Sequence, residues 1–382
     1  MKQASGIITE QGSRTCHAAI VGRELQIPTI VACKDALKIL KPNQEITISC
    51  SEGEIGKVYK GLLTIDVAET EINKKELPVK LSLNIGDPEI AFQNAILPND
   101  GVGLAREEFI IANYIKIHPL ALIHYKLLDK ETKDKINEIT NGQNNETYYI
   151  NRLANGISKI ACAFHPKEVI VRFSDFKTNE YRNLIGGEYF EEVEENPMIG
   201  FRGARRYYDK EFKPAFILEC KAIKKVIDYY GFKNVSIMIP FCRTPDEARK
   251  VLKILEEQGL TKETLKRYIM CELPSNIILA DKFLDLFDGM SIGSNDLTQL
   301  TLGIDRDNGL LKIDDERNEA VLKQISDIIL KCKQRNKYIG ICGDAPSTFK
   351  DFMKFLVLNK IDSISLSPDA ILKTIQELNK FN

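Results

Sequence analysis

The sequence predicts an α/β protein in which a (β/α)8 barrel of the TIM type follows a smaller β/α segment. After residue 78, short apolar runs alternate with amphipathic stretches of helical period. A polar stretch at 62–78 ends at Pro78, and the residues before it follow a different pattern. We therefore expect a small domain at 1–61, a linker at 62–78 and a barrel at 79–382.

The first 61 residues predict a small mixed unit. GIIT is typical of a short strand, Gln11-Gly12 of a turn, and the residues from His17 to Leu25 of a helix. The runs IPTIVAC and EITISC predict two further strands, and EGEIGKVYKG predicts a hairpin.

Eight apolar runs predict the strands of the barrel. Their near-continuous apolar character suits parallel strands that are buried on both faces. The segments between them, such as TPDEARKVLKILEEQG, have the amphipathic period of helices. A long stretch at 108–167 predicts a helical insertion into the minimal barrel. The runs are VKLSLNIG, GVGLAR, EVIVRF, VSIMIP, YIMCEL, GMSIGS, YIGIC and SISLSP.

Composition and charge narrow the classes of function. Apolar residues make up 43% and charged residues 28%, which are ordinary values for a globular protein. The net charge of −1 gives no electrostatic reason to bind nucleic acid or an anionic membrane. The nine cysteines form no CxxC pair, and no apolar run is long enough to span a bilayer. Without a signal-peptide pattern, we expect a cytoplasmic protein with reduced thiols.

Polar residues recur where the predicted strands end. Active sites of (β/α)8 barrels lie at the carboxyl ends of the strands, so polar residues at these positions predict a site. Arg243 lies slightly beyond the end of its strand. The residues at or just past a strand end are Arg106, Arg172, Glu272, Asn295, Asp296 and Cys342.

Glu272 and Asp296 are the predicted metal ligands. Two carboxylates, together with substrate oxygens and water, are the usual way in which proteins hold Mg²⁺. The alternative for either carboxylate alone is a salt bridge, or for Asp296 a cap on a helix that begins at Leu297. Their position at two strand ends favours the metal site.

Four arginines predict an anion site. A substrate with both a carboxylate and a phosphate needs several guanidinium groups, because arginine binds such anions through paired hydrogen bonds. The alternative is a surface arginine paired with a nearby glutamate, and in NPMIGFRGARR we interpret Arg205 and Arg206 as ordinary surface charges. The four candidates are Arg106, Arg172, Arg202 and Arg306.

Cys342 and His17 are the candidate reacting groups. A thiol at the strand end in YIGICGDAPS can deliver a proton to carbon, although most cysteines are simply small buried side chains. His17 opens a helix, where free backbone N–H groups favour a phosphate and where a histidine can act as nucleophile. The alternative is a capping or solvent-exposed histidine. His118, His124 and His165 show no metal-ligand spacing and are interpreted as structural.

These residues lie in motifs that resemble those of the phosphoenolpyruvate-utilising enzymes. GSRTCHAAIVGRELQIP is similar to the phosphohistidine motif of that family, and the barrel motifs follow in the family's order over almost the whole chain. TCHAAI, RFSDFKTNEY, MCELPSN and SISLSPD resemble the phosphoenolpyruvate synthase (pyruvate, water dikinase) branch more than the other branches. The barrel motifs are GVGLAREEF, RFSDFKTNEY, NPMIGFRGARR, MIPFCRTPDEA, MCELPSN, SIGSNDLTQLTLGIDRDNG and GICGDAPS.

The resemblance implies a role for each candidate residue. His17 would carry the phosphoryl group, and Cys342 would protonate or deprotonate the substrate carbon. The four arginines would hold the phosphate and carboxylate of phosphoenolpyruvate, and Asn295 would bind the substrate. Glu272 and Asp296 would bind Mg²⁺. In the complete reaction of the synthase branch, ATP, pyruvate and water give AMP, phosphoenolpyruvate and phosphate, which is a gluconeogenic step.

The sequence departs from the family pattern in three places. The family's ATP-grasp domain is not among these residues, and the histidine segment starts midway, at MKQASGIIT, so we expect a partial phosphohistidine domain. Ser13 stands where the family usually has glycine, which affects the turn before His17. GDAPS replaces GQGPS after Cys342, and we expect the Asp344 carboxylate to raise the pKa of that thiol.

Three hypotheses for the chain remain open at this point. It is a fragment that keeps the half-reaction between phosphoenolpyruvate and phosphohistidine, a subunit that docks a separate ATP-grasp chain, or a remnant that binds phosphoenolpyruvate without catalysis. Within the family, an enzyme like phosphotransferase-system enzyme I or pyruvate, phosphate dikinase is the alternative. Barrels of this family often pair, so a homodimer through the barrel is also expected.

Overall fold

A computed structural model describes six stretches of the chain, and every structural statement below concerns these residues. The side chain of Glu24 is outside this description. Ser13, Arg306 and most of the predicted linker also lie outside the described residues, so the predictions made for them stay predictions. The described residues are 4–12, 16–25, 27–51, 55–65, 77–304 and 315–380.

The histidine segment contains two small sheets and two helices. One sheet pairs two short parallel strands, and the other is an antiparallel hairpin. The predicted helix at His17 and the predicted strands are present at these positions. The hairpin predicted within EGEIGKVYKG is wrong, because the strand in this run pairs with the strand in EITISC. The elements are β1 (Ile7–Ile8), α1 (His17–Glu24), β2 (Thr29–Ile30), α2 (Ala36–Ile39), β3 (Ile46–Ser49) and β4 (Lys57–Lys60).

The rest of the described chain forms a closed barrel of eight parallel strands. The last strand pairs with the first, for example Ile364 with Leu81, and so closes the sheet. Each predicted apolar run contains one strand, which confirms the predicted fold class. The strands are β5 (Lys80–Ile85), β6 (Val102–Arg106), β7 (Val169–Arg172), β8 (Val235–Ile239), β9 (Arg267–Cys271), β10 (Gly289–Gly293), β11 (Tyr338–Cys342) and β12 (Ser363–Leu366).

Helices surround the barrel and bury their apolar faces against it. The predicted insertion between β6 and β7 is helical, and its longest helix, Asn145–Phe164, buries one face that includes Leu153, Ile157 and Ile160. Within the described ranges, no helix has the length and apolar character needed to cross a membrane. The α-helices are α3 (Ala91–Ala95), α4 (Glu107–Ile110), α5 (Pro119–Ile123), α6 (Lys130–Thr140), α7 (Asn145–Phe164), α8 (Thr178–Arg182), α9 (Ala204–Tyr207), α10 (Lys213–Asp228), α11 (Pro245–Glu257), α12 (Pro274–Ile278), α13 (Ala280–Leu284), α14 (Ser294–Leu302), α15 (Glu319–Gln334), α16 (Ala345–Thr348), α17 (Lys350–Leu358) and α18 (Ile371–Leu378).

The core has two layers, a larger one outside the barrel and a smaller one inside it. The larger layer lies between the strands and the helices and is made mostly of Ile, Leu, Val, Phe and Ala. The smaller layer fills the barrel interior, and each fully buried Ile, Leu or Met contributes roughly 1.5–3 kcal/mol. Its members are Leu104, Ile170, Met238, Tyr268, Met270 and Cys342. The thiol predicted to react is therefore the member of this packed interior that stands at a strand's carboxyl end.

Candidate active site

The carboxyl ends of the strands open into a cleft of about 2040 Å³ that α1 also lines. Residues from the histidine segment and from the barrel therefore face the same space. The ninth candidate, Arg306, lies outside the described residues. The predicted site residues that line the cleft are His17, Arg106, Arg172, Arg202, Glu272, Asn295, Asp296 and Cys342.

Arg202 lines the cleft and lies between two carboxylates. Its Nε and Nη2 donate to the Asp175 carboxylate at 3.1 and 2.6 Å, and its Nη1 donates to Asp296 Oδ1 at 3.2 Å. The guanidinium also stacks on the ring of Phe241, 4.0 Å from its centroid. Burial opposes the charge, but Asp175 and Asp296 raise the pKa of Arg202 well above its usual value. Arg202 is a fixed, buried cation with an acidic partner on each side.

The segment that carries Arg202 is held against the end of β8. Gly203 has φ +59°, and a Cβ there would lie 2.5 Å from Phe241 Cβ, so the close approach requires glycine. Arg243, which the sequence places just beyond a strand end, donates to the carbonyl of Gly200 at 2.5 Å and that of Arg202 at 3.4 Å. Arg243 therefore supports the backbone around Arg202.

The prediction that Arg206 is an ordinary surface charge is wrong. Its guanidinium is buried and donates to both Glu191 oxygens at 2.7 Å, while Arg205 is exposed as expected. His118 is buried beside the pair, with Nε2 3.0 Å from Glu191 Oε1. Burial opposes ionisation of Glu191, but hydrogen bonds from His118 and Arg206 keep its pKa below the usual value. Aromatic rings enclose the Arg206 guanidinium, namely those of Tyr181, Phe201 and Phe212.

Arg106 and Arg172 place two positive charges at the wall of the cleft. Arg172 Nη2 donates to Glu108 Oε1 at 2.8 Å, and the same oxygen accepts the backbone N–H of Asp175 at 2.5 Å. Burial and the nearby Arg172 lower the pKa of Arg106 to about 10. Two neighbouring guanidinium groups that repel each other are stabilised by an anion between or above them.

Glu272 and Asp296 bring two carboxyl groups close together in the cleft. Glu272 Oε1 accepts the backbone N–H of Phe241 at 2.7 Å. Burial, followed by the charges of Asp296 and Asp175, raises the pKa of Glu272 to about 8. A Cβ at Gly293 would lie 2.9 Å from Glu272 Oε2, so glycine leaves the room in which this carboxyl lies. A bound cation would relieve the repulsion between these carboxylates.

The two predicted metal ligands fit a magnesium ion that keeps several ligands from outside the protein. No group of three or more metal-binding side chains is found in the part of the chain that the structure describes. Mg²⁺ commonly takes only one or two carboxylates and completes its coordination with water and substrate oxygens. The alternative of Asp296 as a cap does not hold, because α14 begins at Ser294 and Asp296 lies inside its first turn. The salt-bridge alternative is present for Asp296, which pairs with Arg202, so its role as a metal ligand stays a prediction.

Cys342 presents a protonated thiol to the cleft. Its Sγ accepts a hydrogen bond from Ser291 Oγ at 3.5 Å, and the residue is 6% exposed. Burial raises the pKa of Cys342 to about 11, against the opposing effects of Ser291 and Arg172. The direction was predicted, but the predicted cause was wrong: burial is the largest cause, and the Asp344 carboxylate instead accepts a hydrogen bond from Arg23 at 2.8 Å.

His17 is exposed and faces the cleft from the first residue of α1. Cys16, not His17, occupies the capping position of this helix. The capping alternative for His17 therefore does not hold, but its exposure agrees with the alternative of a solvent-exposed histidine, so its role as phosphoryl carrier stays a prediction. The imidazole lines the same space as the barrel residues.

Two acidic residues that line the cleft were not predicted from the sequence. Asp175 pairs with Arg202, and Glu108 pairs with Arg172. Both lie in quoted motifs, RFSDF and AREEF, two or three residues beyond a strand end. The signal that would have found them is an acidic residue shortly after each strand-end arginine, because a buried guanidinium needs a counter-charge.

Two family models match nearly the whole chain. The model described as "PEP-utilising enzyme, PEP-binding domain" matches residues 63–382. The model described as "PEP-utilising enzyme, mobile domain" matches residues 1–53. The first of these covers most of the chain by itself, and the two matches follow each other in the order that the motifs predict.

Curated relatives with the name phosphoenolpyruvate synthase are similar over the same range. The protein of Aquifex aeolicus (strain VF5) is 52% identical over 428 residues, which cover 98% of this chain and 50% of the relative. That of Synechocystis sp. (strain ATCC 27184 / PCC 6803 / Kazusa) is 54% identical, covering 98% and 47%. That of Escherichia coli (strain K12) is 49% identical, covering 100% and 49%. The chain spans about half the length of the curated relatives it matches.

Proposed function

The chain belongs to the PEP-utilising enzymes, and from this premise we propose that it carries the phosphoenolpyruvate half-reaction of a phosphoenolpyruvate synthase (pyruvate, water dikinase). In that half-reaction a phosphoryl group moves between phosphoenolpyruvate and His17. The observation that carries the proposal is the single cleft lined by His17, by arginines, by a carboxylate pair and by Cys342. The complete reaction with ATP and water needs a nucleotide-binding part, which we propose is a further domain or a separate ATP-grasp chain.

Positive side chains of the barrel bind and orient the substrate anion. Arg106 and Arg172 lie close enough for their charges to lower the pKa of Arg106, and a phosphate or carboxylate between them removes that repulsion. Asn295 is half-buried, lines the same cleft and offers an amide to a substrate oxygen. Arg202 lines the same cleft, and its guanidinium is already paired with Asp175 and Asp296.

Glu272 and Asp296 would hold the Mg²⁺ that members of this family generally require. When bound, the ion supplies charge stabilisation for the phosphate and for the enolate oxygen. The two carboxylates provide hard oxygen donors, and Arg202 fixes the position of Asp296 Oδ1 through its hydrogen bond at 3.2 Å.

The chemical step uses His17 as nucleophile and Cys342 as acid. An imidazole nitrogen of His17 attacks the phosphorus, forming a P–N bond as the P–O bond to the enolate oxygen breaks. The methylene carbon of the enolate then takes the proton of the Cys342 thiol and gives pyruvate, and the thiolate recovers a proton from solvent. A pKa of about 11 keeps the thiol protonated at neutral pH, as this direction requires. The reverse sequence gives phosphoenolpyruvate from pyruvate and phosphohistidine.

The test is phosphoryl transfer by the purified chain. With Mg²⁺ and phosphoenolpyruvate, we expect acid-labile phosphate on the protein and pyruvate in solution in equal amounts. His17→Ala abolishes the label, whereas Cys342→Ala slows the release of pyruvate because the enolate loses its proton donor. His124→Ala is the matched control, since His124 is exposed and lies outside the cleft.

The result that overturns the proposal is absence of label on the unaltered protein. If phosphoenolpyruvate then still raises the melting temperature, the chain binds the substrate without transferring its phosphoryl group. If it does neither, the catalytic interpretation of the cleft is wrong. The expected homodimer and the cytoplasmic location are separate predictions that this experiment does not address.

A further inference from the structure

We propose that the ion pair between Arg23 and Asp344 is a docking contact that holds α1, and with it His17, at the mouth of the barrel. This inference rests on the proposed function and deepens it, because it assigns positioning residues to the phosphoryl transfer. Arg23 Nη1 lies 2.8 Å from Asp344 Oδ2, and the two residues are 321 positions apart. The contact joins the helix that bears the phosphoryl acceptor to the loop that follows Cys342.

On the histidine side, the contact lies on the same helix as the reacting group. His17 is the first residue of α1 and Arg23 is in its last turn. A helix rises about 1.5 Å per residue, so the two positions are separated by about 9 Å along a single rigid rod. Fixing Arg23 therefore restricts where the imidazole of His17 can lie over the cleft.

On the barrel side, the loop that presents Asp344 is itself held in place. The carbonyl of Asp344 accepts hydrogen bonds from Ser347 Oγ at 2.8 Å and Thr348 Oγ1 at 2.9 Å. Gly343 lies so close to Ser294 that an added Cβ would be 2.4 Å from its Oγ. The Asp344 side chain does not cap α16, although it stands at the capping position. Its carboxylate is thus directed to Arg23 from a firmly packed loop.

The contact lies beside the anion site, so breaking it also changes the local charge. The pKa of Arg106 responds to both partners: Asp344 raises it and Arg23 lowers it, after the larger effects of burial, Arg172 and Glu108. The side chains of Arg23 and Asp344 are 29% and 25% exposed. A partly exposed ion pair of this kind changes an equilibrium by roughly two- to fivefold. We expect a change of that size in the population of the docked arrangement.

The test measures phosphoryl transfer and substrate binding separately. With Asp344→Asn or Arg23→Gln, we expect the rate of His17 labelling at saturating phosphoenolpyruvate to fall roughly two- to fivefold. In Asp344→Asn, the concentration of phosphoenolpyruvate that half-saturates the barrel should not rise, since this change removes a negative charge beside the anion site and leaves the substrate-binding arginines unaltered. The charge-exchanged variant, Arg23→Asp with Asp344→Arg, should recover most of the lost rate. Asp285→Asn is the matched control. It also breaks an ion pair between an aspartate and an arginine, but its partner Arg335 precedes the amino end of β11, whereas Asp344 follows the carboxyl end.

Hydrogen exchange gives a readout that does not depend on catalysis. In the single variants, peptides that contain α1 and peptides that contain residues 343–349 should exchange faster, and in the charge-exchanged variant they should return towards the original rate. Unchanged exchange and unchanged labelling in Asp344→Asn overturn the docking contact. If the single variants exchange faster but the unaltered chain never takes up phosphate, the docking contact stands and the proposed function is wrong. Failure of the charge-exchanged variant, with its melting temperature intact, also overturns the ion-pair assignment.

Discussion

At the scale of single residues, burial determines how the reactive groups behave. Cys342 belongs to the packed interior of the barrel, and this burial rather than a neighbouring charge raises its pKa to about 11. Removing water from around a thiol disfavours the thiolate because the anion loses its hydration. The same residue type at an exposed position, such as Cys162, has no such environment.

The first residue-scale prediction concerns the reactivity of this thiol. Alkylation of Cys342 by iodoacetamide should rise about tenfold per pH unit from pH 7 towards the pKa of about 11, because only the thiolate reacts. The measurement is mass spectrometry of digested protein, with the exposed Cys162 as an internal reference. A plateau for Cys342 near pH 8.5 would contradict the burial argument.

The second residue-scale prediction concerns Asp175. Asp175→Asn removes the counter-charge from the buried Arg202, whose side chain is 4% exposed. Loss of one partner of a buried ion pair costs about 3–5 kcal/mol, so urea unfolding of the barrel should shift by that amount. The double variant Asp175→Asn with Arg202→Met should be more stable than Asp175→Asn alone. A single variant as stable as the original chain would show that Asp296 alone neutralises Arg202.

At the scale of secondary-structure elements, a buried carboxyl pair joins α4 to α10. Glu107 and Glu219 are fully buried and hydrogen-bonded to each other. Glu219 also accepts the backbone N–H of Ser174 at 3.2 Å and its Oγ–H at 2.6 Å. Burial, followed by the charge of Glu219, raises the pKa of Glu107 well above its usual value, and burial raises that of Glu219 to about 7. Glu219 thus holds Ser174, the chain neighbour of Asp175. The raised pKa values mean that the two carboxyl groups share a proton.

The element-scale prediction follows from these raised pKa values. A carboxyl whose pKa is higher in the folded state favours folding below its unfolded pKa of 4.5, and this contribution is lost as the pH rises through about 7. The free energy of unfolding should therefore fall by on the order of 3 kcal/mol between pH 5 and pH 9. Glu107→Gln should flatten this dependence, because an amide donates the same hydrogen bond without needing a proton. Urea unfolding across that pH range measures it, and an equal slope in Glu107→Gln would exclude the pair as its source.

At the scale of the whole molecule, the closed barrel and the histidine segment are stabilised by different interactions. Eight strands close on themselves through their own hydrogen bonds and enclose a continuous core. The histidine segment has two two-stranded sheets in the described residues, and a two-stranded sheet by itself is marginally stable. The division into domains at 61 and 79 stays a prediction, but this contrast supports it.

The whole-molecule prediction is that the barrel binds phosphoenolpyruvate without the help of His17. At about 100 times its Kd, a ligand stabilises the folded state by about 2.7 kcal/mol. We expect this stabilisation in the unaltered chain and in His17→Ala, and its loss in the double variant Arg106→Ala with Arg172→Ala. Thermal unfolding with Mg²⁺ and increasing phosphoenolpyruvate provides the measurement. If His17→Ala also loses the stabilisation, substrate binding depends on the histidine segment.

The sequence by itself determined the fold class and most of the polar side chains that line the cleft. The eight strands could be counted because strands buried on both faces are short apolar runs between amphipathic helices, and this signal is local. Parallel strands also bring their carboxyl ends to one edge. The polar residues at those ends, from Arg106 to Cys342, could therefore be assigned to a common cleft before their contacts were known.

Only the tertiary structure decided which charged side chains pair with each other. The sequence could not show that Arg206 is enclosed by aromatic rings around Glu191, that Asp175 neutralises Arg202, or that Asp344 pairs with Arg23. These partners are up to 321 residues apart, and a local pattern reports the face on which a side chain lies but not the group that faces it. The charge state of a buried group depends on its dehydration and on those distant partners, so it is fixed only when the chain has folded.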